Sequence, residues 1–378
     1  MALNTSRSLY IVSPWPGSIK ESMDNLSISK SAVKLASLAK RLELRKVVVC
    51  SINNFVSEML NDKSTGPKIA YLFRPEDIII YADRLEKITH VQLLIHQQDI
   101  IEGHLERAIP LLKDKIMIPL YYEQIELFNK YNLNIDSTVI PIPIEEFPKE
   151  VNLKGIKDNL VVLNKPSVAF MSNHSVRKNK YEGFIALLDS INKYSNPVNV
   201  IVSSHTGGSL YFKEIVNYYN SNNISISYFD NPSTKDLYYL IGQCTTLFLP
   251  AFDEGYNLVL REMGRLGIDI VCSNIPVNAY YKREGKINLF NMFKQEVVGN
   301  DKDEISQVTE FDVPVYSSMV NELVNSFNRW ESTKTHMLNK MQSHVTLSGI
   351  IPGITEAISR CYKTPIRKDT SETIVYIL

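Results

Sequence analysis

Short apolar runs separated by polar, helix-patterned stretches set the plan of this chain. Residues 9–13 and 46–51 read as two strands, and the spacing of apolar positions over 24–44 predicts a helix between them. The first strand is broken by Pro14-Trp15-Pro16-Gly17-Ser18, which is loop chemistry. Further strands are expected at 78–81 and 91–95. Helical patterns flank 117–119, and Thr138-Val139-Ile140-Pro141-Ile142-Pro143 reads as the last strand of a first series. Polar residues over 148–164 have linker composition. A second series opens at Ser167-Val168-Ala169-Phe170-Met171. It continues with a helix over 181–191, a strand over 198–202, a helix to about residue 219, a strand over 224–229, a helix over 234–244 and a strand over 246–249. Beyond Ile275 the pattern is irregular, with a polar, acidic stretch over 301–310, and helical spacing resumes over 315–341. Two βαβ series in tandem predict two doubly wound α/β domains, 1–160 and 161–350, facing a central cleft. The segment 351–378 is expected to return to the first domain.

One βα unit concentrates the polar groups. The run Thr246-Leu247-Phe248-Leu249 stops at Pro250, and Ala251-Phe252-Asp253-Glu254-Gly255-Tyr256-Asn257 leads into Leu258-Val259-Leu260-Arg261-Glu262-Met263, where apolar positions fall near helical spacing. Such a loop lies at the carboxyl end of a strand, where open parallel sheets bind ligands. It leaves Glu254 and Gly255 at a helix start, whose unpaired N–H groups favour anions and hydroxyl acceptors. Glu262 lies eight residues further, roughly 12 Å along a helix axis. Two carboxylates so spaced suit two parts of one long polar ligand.

Two other strand ends carry candidate groups. Gly17 and Ser18 follow the first strand, either offering backbone amides to a ligand or forming a simple turn. His96 follows the strand at 91–95 as a ligand contact or a structural histidine. The loop His205-Thr206-Gly207-Gly208 fits a turn better than a phosphate cradle.

Composition narrows the class. The chain has 378 residues, 44% apolar and 22% charged, which suits two globular domains. Lys plus Arg equals Asp plus Glu at 41 each, so overall charge gives no support to a nucleic-acid partner. Cys50, Cys244, Cys272 and Cys361 show no metal-ligand spacing and read as buried thiols of a reducing compartment. A cytoplasmic protein is expected. Residues 20–46 hold seven basic and three acidic residues, a face suited equally to solvent and to peripheral contact with the inner face of an anionic membrane.

The stretch from Pro250 to Glu262, with its two glutamates separated by seven residues, resembles the acidic signature of the family 4 retaining glycosyltransferases. Gly267, the run 270–272 and Ser273-Asn274-Ile275-Pro276 match the continuation of that signature. Phe170-Met171-Ser172-Asn173-His174-Ser175-Val176-Arg177-Lys178-Asn179 is similar to the family's strand and basic loop at the head of its second domain. Ser172 and Asn173 stand where the family usually has Gly-Arg. The likeness covers most of 167–285 and the first domain in outline.

The resemblance implies a GT-B architecture of two Rossmann-like domains and a nucleoside diphosphate sugar as donor substrate, with no separate cofactor. Glu254 then contacts the sugar and Glu262 the ribose. Lys178, with Arg177 and Lys180 beside it, neutralises the diphosphate together with the helix start at Gly255, Tyr256 and Asn257. His96 is implied to meet the transferred sugar. The expected reaction is a metal-free, retaining transfer to an acceptor hydroxyl on a glycan, a lipid-linked sugar or a modified nucleic acid. A sugar-nucleotide epimerase and a non-catalytic nucleotide-sugar-binding partner subunit are the rival readings.

Overall fold

The computed structural model describes residues 8–13, 46–61, 68–86, 88–96, 99–100, 102–136, 139, 165–172, 176–204, 209–219, 223–230, 232, 234–264, 267–279, 287–290, 292–294, 312–334 and 374–376. The chain divides into two compact units: Met1–Glu145 together with Thr346–Leu378, and Glu146–Val345.

In the first unit the elements run β1 (Ser8–Ser13), β2 (Lys46–Ser51), α1 (Ile52–Asn61), β3 (Lys68–Phe73), α2 (Pro75–Ile80), β4 (His90–Leu93), α3 (His104–Leu112), β5 (Ile116–Met117), α4 (Tyr122–Lys130) and β6 (Asn134–Ile135). A strand near the chain's end, Ile374–Tyr376, pairs in parallel with β2 and completes a sheet of order Ile374–Tyr376, β2, β1, β3, β4, β5, β6. All of its strand pairs are parallel. Tyr10, Val48, Phe55, Val91, Leu93, Leu105, Met117 and Phe128 form its core.

The expected strand at 78–81 is a helix instead. Its three consecutive isoleucines have strand propensity, but Pro75 occupies the first helical turn, and the Arg74 backbone N–H donates to the Asp77 carboxylate at 3.0 Å. Ile78 is then buried while Ile80 is 57% exposed, a helical and not a strand pattern. The strand of this region is β3, just before it. The helix read over 24–44 lies outside the described residues, as do the loop with Gly17 and Ser18 and most of the expected strand at 138–143.

The second unit contains β7 (Ser167–Ser172), α5 (Lys180–Tyr194), β8 (Val198–Ser204), α6 (Ser209–Tyr219), β9 (Ile224–Asp230), α7 (Thr234–Gly242), β10 (Thr246–Leu249), α8 (Leu258–Gly264), β11 (Asp269–Ser273) and β12 (Ile287–Phe290). Its parallel sheet has the order β12, β11, β10, β7, β8, β9. A small antiparallel pair, β13 (Met292–Lys294) with β14 (Asp312–Pro314), precedes α9 (Tyr316–Asn328). Four phenylalanines knit the sheet to its helices. Phe170 on β7 has ring centroids 5.4 Å from Phe184, 5.7 Å from Phe212 and 5.9 Å from Phe248. Each such buried ring contributes about 1.5–3 kcal/mol of transfer free energy.

The strand order locates the ligand end of this unit. The chain builds outward from β7 through β8 to β9, then crosses back to lay β10 on the other side of β7. The sheet therefore reverses between β7 and β10, and crevices outside the carboxyl ends of strands at such a switch point are where doubly wound folds bind ligands. Reciprocal hydrogen bonds fix the opposite ends of these two strands. Ser167 N–H donates to Thr245 Oγ1, and Thr245 N–H to Ser167 Oγ, each at 3.0 Å. With the strand starts locked in register, the loops leaving β7 and β10 emerge side by side.

Candidate functional site

Those two loops carry the basic and acidic residues singled out in the sequence. After β7 a single 3-10 turn, Val176–Lys178, leads into α5. After β10 the segment 250–257 leads into α8. Although 76 residues apart, the two segments are joined by backbone and side chains alike. The Phe252 N–H donates to the Arg177 carbonyl at 2.7 Å. The Arg177 guanidinium meets the Asp253 carboxylate at 3.1 Å, and the Lys178 ammonium donates to Glu254 Oε1. Consecutive cations thus pair with consecutive carboxylates, with one backbone bond beside them.

The two pairs differ in burial. The Asp253 side chain is fully buried, whereas those of Lys178 and Glu254 are 23% and 15% exposed. Opposite charges a few ångströms apart attract by about 4 kcal/mol at an effective dielectric of 20, offset by the cost of removing both from water. The Arg177 side chain is 31% exposed, so the contrast lies in the carboxylates, and Glu254 is the one a solute reaches with less desolvation. Cys272, at the carboxyl end of β11, senses the same charge. Burial pushes its thiol well above the ordinary range, and the Glu254 carboxylate adds to the shift.

The far end of the loop is held by buried amides. Asn257 lies in the left-handed region at φ +41, a conformation asparagine tolerates better than most residues. Its Nδ2 donates to Asn278 Oδ1 at 2.8 Å, and its Oδ1 accepts the Leu260 N–H at 3.4 Å, capping α8. Asn278 Nδ2 donates to the Ser273 carbonyl at 3.0 Å, and Ser273 Oγ donates to the Ala251 carbonyl. All three side chains are buried. Glu254 and Gly255 thus sit on a loop anchored on both sides.

The other sequence candidates fall as follows. Gly255 and Tyr256 are buried within the anchored loop. Glu262 belongs to α8, but its side chain lies outside the described residues. Lys180 is the first residue of α5, buried, with its ammonium 4.5 Å from the Tyr181 ring centroid. The structure therefore brings Lys178 to Glu254 and turns Arg177 toward Asp253, while the Asn257 side chain serves the loop. His96 belongs to the other unit, three residues beyond β4. Its backbone N–H donates to the Asp99 carboxylate at 2.8 Å, and the Asp99 N–H returns a bond to the His96 carbonyl at 3.0 Å.

Asp253, Ser273 and Asn278 were missed in the sequence. For Asp253 a partial signal existed: Arg177-Lys178 and Asp253-Glu254 are complementary doublets, each following a predicted strand, although nothing in the sequence makes those strands neighbours. Asn278 offered none, because nothing local marks it as the partner of a residue 21 positions away. Among the described residues no group of three His, Cys, Asp or Glu side chains is arranged to hold a metal. The chain has one Asp-x-Asp triplet, Asp301-Lys302-Asp303, outside the described residues. The expectation of metal-free transfer therefore rests on the cations of the site. No helix among the described residues is long and apolar enough to cross a membrane.

No protein-family model matches the chain, and no curated protein matches it in sequence. Solved structures do match in fold. Sucrose-phosphate synthase from Thermosynechococcus elongatus superposes with a TM-score of 0.62 at 9% identity, over 94% of this chain and 99% of that one. WaaG, a glycosyltransferase involved in lipopolysaccharide biosynthesis, gives 0.57 at 11% identity, over 93% and 99%. Anabaena HepE in complex with UDP and glucose gives 0.54 at 15% identity, over 94% and 99%. The chain has the α/β GT-B fold. At these identities the likeness defines the architecture, and the chemistry has to be argued from the site.

Proposed function

We propose that the protein is a retaining, metal-independent glycosyltransferase that moves a sugar from a nucleoside diphosphate donor to an acceptor hydroxyl. The bond between the anomeric carbon and the diphosphate oxygen breaks, a bond from that carbon to the acceptor oxygen forms, and the acceptor proton leaves with the nucleoside diphosphate. The observation that carries this reading is the Lys178–Glu254 pair at the switch point of the second unit. It sets one cation, for phosphate oxygens, beside one carboxylate, for sugar hydroxyls.

The chemistry divides between these groups. Charge builds on the departing diphosphate as the bond breaks, and a prepositioned ammonium with a helix start stabilises it without reorganisation. Glu254 accepts hydrogen bonds from the sugar and orients it. Glu262, one helix further, is assigned to the ribose, and His96 to the transferred sugar, both on the strength of the sequence resemblance. The ligands of HepE make UDP-glucose the first donor to examine.

Calorimetric titration with UDP-, GDP- and ADP-sugars, followed by assay of diphosphate release with glycan, lipid-linked and nucleic-acid acceptors, tests this reading. Release that depends on acceptor supports the transferase. Binding with no release supports a non-catalytic partner subunit, and interconversion of the donor sugar supports an epimerase. Unchanged binding and turnover in both Glu254→Gln and Lys178→Ala would show the site to be misassigned.

A further inference from the structure

Arg177 is one of three cations that the sequence offers to a diphosphate, yet its guanidinium meets the most deeply buried carboxylate of the site. We propose that Arg177 and Asp253 form a positioning pair, which sets Lys178 and Glu254 at their working separation, and that Arg177 is not itself a phosphate ligand. The inference rests on the donor-site reading only where it concerns donor binding; the positioning itself is a property of the ligand-free protein.

Three observations carry it. First, Asp253 is fully buried and 3.1 Å from Arg177. A buried carboxylate holds its cation tightly, because losing that cation removes charge compensation that water cannot replace at a buried position. Second, the pair lies one residue before Lys178 on one segment and one residue before Glu254 on the other. Whatever fixes the first pair fixes the second. Third, the Phe252 N–H to Arg177 carbonyl bond, at 2.7 Å, flanks the pair and ties the backbones at the same level. Asn257, Asn278 and Ser273 hold the same loop from the β11 side, at Asn257 and at Ala251, whereas the Arg177–Asp253 pair anchors it to the basic segment.

The division of labour follows from the burial of the two carboxylates, complete for Asp253 and partial for Glu254, and from side-chain geometry. Arginine's planar fork makes directional bonds to a carboxylate, which suits an anchor. Lysine's flexible stem and rotatable donors suit a group that must turn from a carboxylate to a phosphate. Lys178, next to Arg177 and paired with the partly exposed Glu254, is the cation free to make that exchange.

The sign of one substitution separates the alternatives. If Arg177 is a phosphate ligand, Asp253→Asn removes a competing carboxylate, and pyrophosphate binds as well or better. If the pair positions Lys178, the same change weakens pyrophosphate and UDP-glucose. The experiment combines hydrogen–deuterium exchange of the ligand-free protein with calorimetry of pyrophosphate and UDP-glucose, on wild type, Asp253→Asn, Arg177→Lys and Lys178→Ala. The expected result is at least tenfold faster exchange over 251–257 and 176–180 in Asp253→Asn, with a single cooperative melt. Near wild-type exchange is expected in Lys178→Ala, which leaves the anchor intact, and exchange between those of wild type and Asp253→Asn in Arg177→Lys, which keeps the charge but not the fork. Both probes are expected to bind at least tenfold more weakly to Asp253→Asn.

Unchanged exchange in Asp253→Asn overturns the proposal, and so does unchanged or tighter pyrophosphate binding. Should Asp253→Asn fail to fold, Arg177→Gln is compared with wild type and Arg177→Lys by the same exchange criterion. If the wild type binds no nucleotide sugar or pyrophosphate, the donor-site reading fails, and the exchange comparison alone decides whether the pair positions the loop.

Discussion

Gly183, in the first turn of α5, lies so close to Pro250 that a Cβ at this position would stand 2.5 Å from the proline Cγ and 2.9 Å from its Cβ. The proline ring ends β10 and begins the anchored loop, so this glycine lets the helix after the basic turn sit directly against the root of the acidic segment. Gly183→Ala gains helix propensity of nearly 1 kcal/mol but forces the rigid ring to move. A net destabilisation of about 1–2 kcal/mol is expected in urea melts. Donor binding is expected to weaken as well, because the displacement enters the loop that bears Glu254.

The Asn257–Asn278–Ser273 chain predicts a second loss. Asn278→Ala removes both the acceptor of Asn257 Nδ2 and the donor to the Ser273 carbonyl, leaving buried polar groups unpaired. Each such group costs about 1–3 kcal/mol. The variant is expected to lose roughly 2–4 kcal/mol of stability by chemical denaturation, with faster exchange at the start of α8.

Much of this architecture was legible because buried parallel strands announce themselves as continuous apolar runs. Val47-Val48-Val49 and Leu247-Phe248-Leu249 needed no context to be recognised as strands. Ile78-Ile79-Ile80 was misread by the same rule, because a proline at the helix start and a returning aspartate outweighed the propensity of three isoleucines. At the site, Lys178 and Glu254 were legible from strand ends and charge. The pairing of Arg177 with Asp253 was not, since a cation's choice between a protein carboxylate and a ligand depends on strand order: only the adjacency of β7 and β10 puts the two doublets side by side.

His90, at the start of β4, gives the first unit an acid-side dependence. Burial lowers its pKa below the ordinary value of 6.5, and the Asp136 charge opposes that only in part. Its Nδ1 lies 2.9 Å from Thr89 Oγ1. Because the folded protein binds the proton less readily than the unfolded chain, the stabilisation is complete above pH 6.5 and is lost as pH falls toward the folded pKa. The slope cannot exceed about 1.4 kcal/mol per pH unit for one group. His90→Gln is expected to flatten this part of the acid limb in melts between pH 7.5 and 5; an unaltered slope would refute the assignment.

Lys178 and Glu254 predict opposite effects of one substitution on two ligands. In the ligand-free protein the ammonium is bonded to the Glu254 carboxylate, so any phosphate must compete with that carboxylate for the same cation. Glu254→Gln keeps the shape and a hydrogen-bond acceptor but removes the competing charge. Pyrophosphate and UDP, which present only the anionic part of the donor, are therefore expected to bind more tightly, by roughly 2–10-fold, about 0.4–1.4 kcal/mol and within the range of partly exposed ion pairs. A full nucleotide sugar gains the same electrostatic term but loses charge-assisted bonds from its hydroxyls to the carboxylate, which are stronger than bonds to a neutral amide. Its affinity is expected to stay level or fall, and its turnover to drop at least tenfold. Lys178→Ala has the opposite asymmetry: it leaves Glu254 as an unneutralised carboxylate facing the diphosphate, so pyrophosphate and UDP lose more affinity than the loss of one contact explains. Calorimetry of pyrophosphate, UDP and UDP-glucose on the two single variants and the double variant measures this coupling. Additive effects in the double variant would mean that the two side chains do not share the ligand.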